Sequence, residues 1–418
     1  MYQSFCDRSW LMQEGDEANL EKVRFLYLIA LFTPLSMLSL EVVLGQDTII
    51  EFLAWSLVSC FIAAVPFLVI LLNPTLQRSI TEPVIFPWLD SEPQSVYSPT
   101  PYIPHPLRFC GQIQTKIWRG WQVSYSVRHH PRSKAPVILI HGFGGSIGHW
   151  RQNIPELAKH HSVYAVDLLG FGASEKPNVD YSIDLWAEQI YDFWQQEIGE
   201  PSILVGNSIG SIACLAIAAR YPEMTKGIAM VSLPDTSLHQ AAISPAMRPL
   251  FNFVQQSVTA IFTSPIILRL LFAILRQAWV LRHWASLAYA SKEAITDELL
   301  EILSRPAHEK ESVQAFGAIL KAMSSPQFSP NICGILKQIK IPSLLLWGKQ
   351  DRMIPISSAA RLLDSNPTLE FVELENAGHC AHDEQPELVN AELLSWIDAK
   401  VLPSDHAVEA EPILVSMT

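Results

Sequence analysis

Ser208 stands in Gly206-Asn207-Ser208-Ile209-Gly210, and an apolar run, Ser202-Ile203-Leu204-Val205, leads straight into it. An alanine-rich segment, residues 211–219, follows and reads as a helix. Strand, Gly-x-Ser-x-Gly, helix is the setting of a nucleophile elbow, a tight turn that lifts a serine hydroxyl above the end of a sheet. Side chains at 206 and 210 would collide with neighbouring backbone in such a turn, and glycine removes the conflict. A serine hydroxyl is a weak nucleophile unless an adjacent base takes its proton. The base in turn needs a carboxylate that fixes its tautomer and stabilises its charged form.

The elements that must position such a set alternate along the chain from about residue 120. Runs at 123–127, 137–140, 163–166, 202–205, 227–233, 344–347 and 371–374 predict strands, several of them apolar throughout, as in a parallel sheet covered on both faces. Segments 184–197 and 386–399 predict helices, the second with Leu388, Val389, Leu393, Trp396 and Ile397 at helical spacing. The run 137–140 ends in His141-Gly142-Phe143-Gly144-Gly145, 344–347 leads into Gly348-Lys349-Gln350-Asp351, and 371–374 leads toward Gly378-His379.

On these motifs the region 119–400 resembles the α/β-hydrolase fold, a mostly parallel central sheet flanked by helices. The resemblance implies the order nucleophile, acid, base, which falls on Ser208, Asp351 and His379. It also implies an oxyanion hole made by the backbone N–H groups of Phe143 and Ile209, with one such donor worth about 3 kcal/mol in the transition state. His141 and Gly142 would support that loop, and Gly206 and Gly210 the elbow. Asp235, after the strand ending at Leu233, competes for the acid position, since some relatives take it from there. His382 reads as loop support and Ser211 as a helix residue. No metal or cofactor is required.

The stretch 234–331 is longer than a crossover needs and predicts a helical cap over the site. Ser264-Pro265 opens a helix by capping rules. Ile266, Ile267, Leu270, Leu271, Ile274 and Leu275 suggest its apolar stripe, and Phe272, Trp279 and Trp284 add bulk between Arg269, Arg276 and Arg282. A cap helix packed on the core and an amphipathic surface lying on a membrane are both compatible with this pattern.

Upstream, residues 52–72 form an uncharged apolar run of about 21 residues, matching the roughly 20 needed to span a bilayer. Residues 25–44 are similar but include Glu41 and Pro34. After a leader over 1–24, the two predict a transmembrane hairpin. Arg8, Lys22, Arg24 and Arg78 flank it while its loop has no Lys or Arg, which puts both ends on the cytoplasmic (or stroma-equivalent) side. The proline-dense stretch 73–118 reads as an extended tether, and 401–418 as a tail. The net charge of −12 with no basic block excludes nucleic acid as a natural partner. The six cysteines form no Cys-x-x-Cys pair, which argues against a disulfide framework or a zinc site.

Finer motifs are similar to those of the pheophytinase and chlorophyll dephytylase group, which cleaves the phytyl ester of chlorophyll pigments in photosynthetic membranes. They are His149-Trp150-Arg151-Gln152-Asn153-Ile154-Pro155-Glu156-Leu157, the segment 164–172 with Asp167, Gly170 and Gly172, Gly199-Glu200-Pro201, and 377–386 around His379-Cys380-Ala381-His382-Asp383-Glu384. Ser211 departs from that pattern, where glycine is common. The reading is a membrane-anchored serine hydrolase acting on a lipophilic ester. Acyl transfer from the same acyl-enzyme, or a non-catalytic scaffold on the same fold, are the alternatives. Epoxide hydrolase or dehalogenase chemistry is disfavoured, because it uses a carboxylate where Ser208 stands.

Overall fold

The apolar runs become the middle of a sheet. The computed structural model describes residues 110–235, 257, 259–309, 311–325 and 327–403. Eight strands, β1 (Gln112–Trp118), β2 (Trp121–Arg128), β3 (Val137–Ile140), β4 (Val163–Val166), β5 (Ser202–Asn207), β6 (Thr225–Val231), β7 (Ser343–Gly348) and β8 (Glu370–Leu374), pair in the order β1-β2-β4-β3-β5-β6-β7-β8. The β1/β2 and β2/β4 pairs are antiparallel and the rest parallel.

Because successive side chains of a strand point to opposite faces, each central strand feeds two cores. Ile138, Ile140, Leu204, Ile228, Met230, Leu345 and Trp347 face one. Val137, Leu139, Ile203, Val205, Ala229, Val231, Leu344 and Leu346 face the other. Helices cover both. In chain order they are α1 (Ile154–Leu157), α2 (Ile183–Glu197), α3 (Ile209–Arg220), α4 (Pro265–Leu275), α5 (Ala278–Ala288), α6 (Asp297–Ser304), α7 (Ser312–Met323), α8 (Ile332–Leu336), α9 (Ala359–Ser365), α10 (Ala381–Glu384) and α11 (Pro386–Trp396). Helices α2 and α3 contribute to the first core, whereas Trp150, Ile154 and Leu157 join Val389, Leu393 and Trp396 of α11 in the second. The strand order reverses beside β3, whose neighbours are β4 and β5. In open parallel sheets, ligands bind beyond the carboxyl ends of strands at such a point.

Three sequence expectations need revision. Residues 112–118, read as the end of the tether, form β1 instead; it is an edge strand whose exposed Gln112 and Thr115 and polar Gln114 and Lys116 hid its alternation. The apolar stripe of α4 is only partly as expected: Ile274 is buried, joined by Leu268 and Phe272, whereas Ile266 is 75% exposed. Ser264 does precede α4, but its side chain makes no capping hydrogen bond. In α11, Val389, Leu393 and Trp396 are buried as expected, and Leu388 faces out. Among the described residues, no helix is long and apolar enough to cross a membrane. The spans at 25–44 and 52–72, the leader, the tether up to residue 109, residues 236–256 of the cap and the tail from 404 lie outside those residues.

Leu346 in β7 is fully buried among apolar neighbours on the second face. Leu346→Ala should lower unfolding stability by about 2–5 kcal/mol. Urea titration would read this as a lower midpoint at unchanged slope, and an unaltered midpoint would contradict this packing.

Candidate active site

Ser208 follows β5 with φ 53° and ψ −119°, a left-handed conformation rare for a residue with a side chain. Such a backbone costs about 1–3 kcal/mol and persists only where its surroundings impose it. Here they do. A Cβ on Gly206 would overlap the backbone of Gly210, and one on Gly210 would overlap the carbonyl oxygens of Ile140 and His141. The Val231 carbonyl at the end of β6 collects the turn: Ser208 N–H donates to it at 2.9 Å, and Ser211 Oγ lies 3.1 Å away. Ser211 Oγ also lies 2.8 Å from the Gly206 carbonyl, so it braces the elbow from inside α3. Ser208 occupies the position before α3, yet its hydroxyl makes no capping bond to the helix.

Asp351 and His379 meet beyond β7 and β8. His379 Nδ1 lies 2.8 Å from Asp351 Oδ2, and both residues are buried. The other carboxylate oxygen accepts the N–H groups of Met353 and Ile354 at 2.9 and 2.8 Å, which fixes the carboxylate's orientation. Asp235 directs its Oδ2 to Arg361 and Cys333, each at 3.5 Å, so the carboxylate on His379 is that of Asp351. Asn207 joins the two halves: its Nδ2 donates to the His379 carbonyl at 3.0 Å. Sequence reasoning missed this role, and its only signal was the place of Asn207 beside the serine.

The loop 141–145 abuts the same point. A Cβ on Gly142 would lie 3.3 Å from Ser208 Cβ and 2.6 Å from Asn207 Oδ1. Ile209 is the first residue of α3, so the helix offers its N–H no acceptor, and the positive end of the helix dipole is at that point. His141 is buried between two backbone partners: Leu168 N–H donates to its Nε2 at 3.1 Å, which leaves Nδ1–H to donate to the Gly142 carbonyl at 2.7 Å. Burial pulls its pKa down to about 3. It is therefore neutral and tied to both the 141–142 backbone and Leu168.

A sequence profile for the alpha/beta hydrolase fold matches residues 135–386. The chain belongs to the alpha/beta hydrolase fold family. It is similar to 2-hydroxy-6-oxo-6-(2'-aminophenyl)hexa-2,4-dienoic acid hydrolase of Metapseudomonas resinovorans, with 26% identity over 272 residues, 63% of this chain and 84% of that one. It is also similar to the chloroplastic pheophytinase of Arabidopsis thaliana, with 25% identity over 322 residues, 67% of this chain and 64% of the relative. Among solved structures, a membrane phospholipase A described as a bacterial virulence factor shares the fold with a TM-score of 0.57 and 22% identity, covering 72% of this chain and 89% of that one. This chain is an enzyme of the α/β-hydrolase superfamily.

The 141–145 loop also carries an apolar wall. The Phe143 ring packs on Phe171, on Trp284 of α5 and on Phe316 of α7, with centroids 5.8, 6.3 and 6.1 Å apart. Phe272 of α4 packs on Phe316 at 5.1 Å. Two of the motifs behind the finer resemblance touch each other. Arg151 Nη1 donates to Asp383 Oδ1, Asn153 Nδ2 donates to the His382 carbonyl at 3.1 Å, and the Trp150 and His382 rings lie 4.2 Å apart. His382 thus packs in the support of the loop, while His379 faces the carboxylate.

Burial pulls His141 and His149 down to about 3 and His382 well below the usual imidazole value. Groups whose folded pKa is depressed contribute stability that is present above the unfolded value near 6.5 and lost as pH falls toward the folded value. Asp167 is lifted to about 6, and Asp383 is raised, both by burial. They act in the opposite sense, and Asp167 does so over the narrower window between about 4 and 6. The expected net result is a melting temperature that holds above about pH 6.5 and falls below it. Thermal melts from pH 8 to 4 check this, and a melting temperature that rises on acidification would contradict it.

Proposed function

We propose that this chain is a membrane-anchored serine hydrolase that cleaves the carboxylic ester of a lipophilic substrate. Ser208 attacks the ester carbonyl while His379 takes its proton, and Asp351 holds the imidazole and stabilises its charged form. The oxyanion is received by the N–H groups of Ile209 and Phe143. The alcohol leaves with the proton from His379. Water, deprotonated by the same imidazole, then cleaves the acyl-Ser208 intermediate. The observation that carries this reading is the junction of three loops: the strained Ser208, Asn207 bonded to the His379 carbonyl, and His379 Nδ1 on Asp351.

The aromatic wall of Phe143, Trp284 and Phe316 favours an apolar substrate. The name of the pheophytinase relative suggests a phytyl or comparable lipid-like ester. The apolar segments 25–44 and 52–72 fit a hairpin anchor with the catalytic domain on the cytoplasmic or stroma-equivalent side. Such an anchor would present the site to substrates dissolved in the bilayer. If the wall excludes water, an alcohol could take the acyl group instead, and product partition with and without an acceptor alcohol separates the two outcomes.

A fluorophosphonate probe should label the full-length chain and leave Ser208→Ala unlabelled, with ester turnover of the variant reduced by at least about 1,000-fold. Equal labelling of both proteins would overturn the assignment. Deleting residues 1–72 should move the protein from the membrane pellet to the supernatant, and retention of the truncated chain in carbonate-washed membranes would contradict the anchor.

A further inference from the structure

The loop carrying His379 is held from the cap side by one carboxylate. Glu384, in α10, accepts three backbone N–H groups from two segments. Its Oε2 receives Gly378 N–H at 2.7 Å and Ala290 N–H at 3.1 Å, and its Oε1 receives Ser291 N–H at 2.6 Å. Gly378 directly precedes His379, while Ala290 and Ser291 follow the end of cap helix α5. The same two segments touch a second time, because His379 N–H donates to the Ala288 carbonyl at 2.6 Å. They approach so closely that a Cβ on Gly378 would overlap the Ala288 carbonyl and lie 2.8 Å from Ala290 N. Beside them, Tyr289 Oη donates to Asp383 Oδ2 at 2.6 Å, and Asp383 is paired with the buried Arg151. The acid's loop is tied to the same helix, since Arg352 Nη1 donates to the Ser286 carbonyl at 3.1 Å.

We propose that Glu384 is a positioning residue for His379. It bridges the base's loop to residues 290–291 of the cap, so that the imidazole keeps its aim only while the cap end of α5 is seated. Glu384 donates no proton and touches no reacting atom. Its carboxylate suits the task because it is acceptor-only, with enough lone pairs for all three N–H groups. An amide in its place would lose the charge and turn its NH2 group either toward Ser291 N–H or toward the Gly378 and Ala290 N–H groups, weakening the bridge in both orientations. This proposal rests on the Ser208-Asp351-His379 reading, and the test separates the two.

The experiment compares full-length wild type, Ser208→Ala and Glu384→Gln on a p-nitrophenyl acyl ester across pH, with melting temperatures measured in parallel. The expected result for Glu384→Gln is a fall in kcat of about 10- to 100-fold, the scale of a misaligned catalytic group, with KM little changed. The acidic limb of its kcat/KM profile should also move, which a merely structural loss would not cause. Glu384→Gln with wild-type kcat and an unmoved acidic limb would overturn the proposal while leaving the triad in place. Ser208→Ala with undiminished turnover would overturn the triad reading, and the positioning role with it. Should Glu384→Gln fail to fold, Glu384→Asp, which keeps the charge but is too short to span both segments, takes its place under the same criteria.

Discussion

The first turn of α3 lies against the end of β3 so closely that position 210 has room only for hydrogen. A side chain there would enter the carbonyl oxygens of Ile140 and His141, and Gly206 makes the matching concession on the other side of the turn. From this approach follow the positive φ of Ser208, the position of Ile209 N–H at an open helix end, and the contact between Gly142 and the serine. The strain at Ser208, of the order of 1–3 kcal/mol, is held by the surrounding sheet, where Ser208 N–H and Ser211 Oγ share the Val231 carbonyl.

Asp351 and His379 are brought to the same place by topology. Strands β7 and β8 extend the parallel sheet beyond β6, so their following loops emerge at the end where β5 delivers Ser208. The final alignment relies on side chains that span long separations in sequence. Asn207 reaches the His379 carbonyl, Asp383 meets Arg151 and Tyr289, and Glu384 gathers cap and loop. Helices α5 and α7 supply Trp284 and Phe316 to the apolar wall, and Ala288 of α5 gives an acceptor to the backbone N–H of His379.

How much of this was legible varied with the range of the forces involved. The central strands were, because burial on both faces leaves only apolar residues at 137–140 and 344–346. The elbow was, because its steric demand falls on two glycines four residues apart. Strand β1 was missed, because a strand at the sheet edge tolerates Gln112, Gln114 and Lys116 and looks like the end of a linker. The buried stripe of α4 was only partly assigned, because nearly every residue in it except Arg269 is apolar and the sequence offered little to orient it. The choice of Asp351 over Asp235 depended on which carboxylate faces His379, and that became readable once Arg361 and Cys333 were seen beside Asp235. Asn207, Asp383 and Glu384 were hidden for a related reason: their partners lie far away along the chain, and no local pattern encodes them.

The central claim is that Ser208 forms the acyl-enzyme. The most direct measurement is peptide mass mapping of full-length protein acid-quenched during turnover of a long-chain ester. The account predicts an acyl group on the peptide containing Ser208, accumulating within the first turnover and lost as product forms. Turnover with the acyl group on another residue would contradict it, as would turnover without a covalent adduct under conditions where deacylation is rate-limiting.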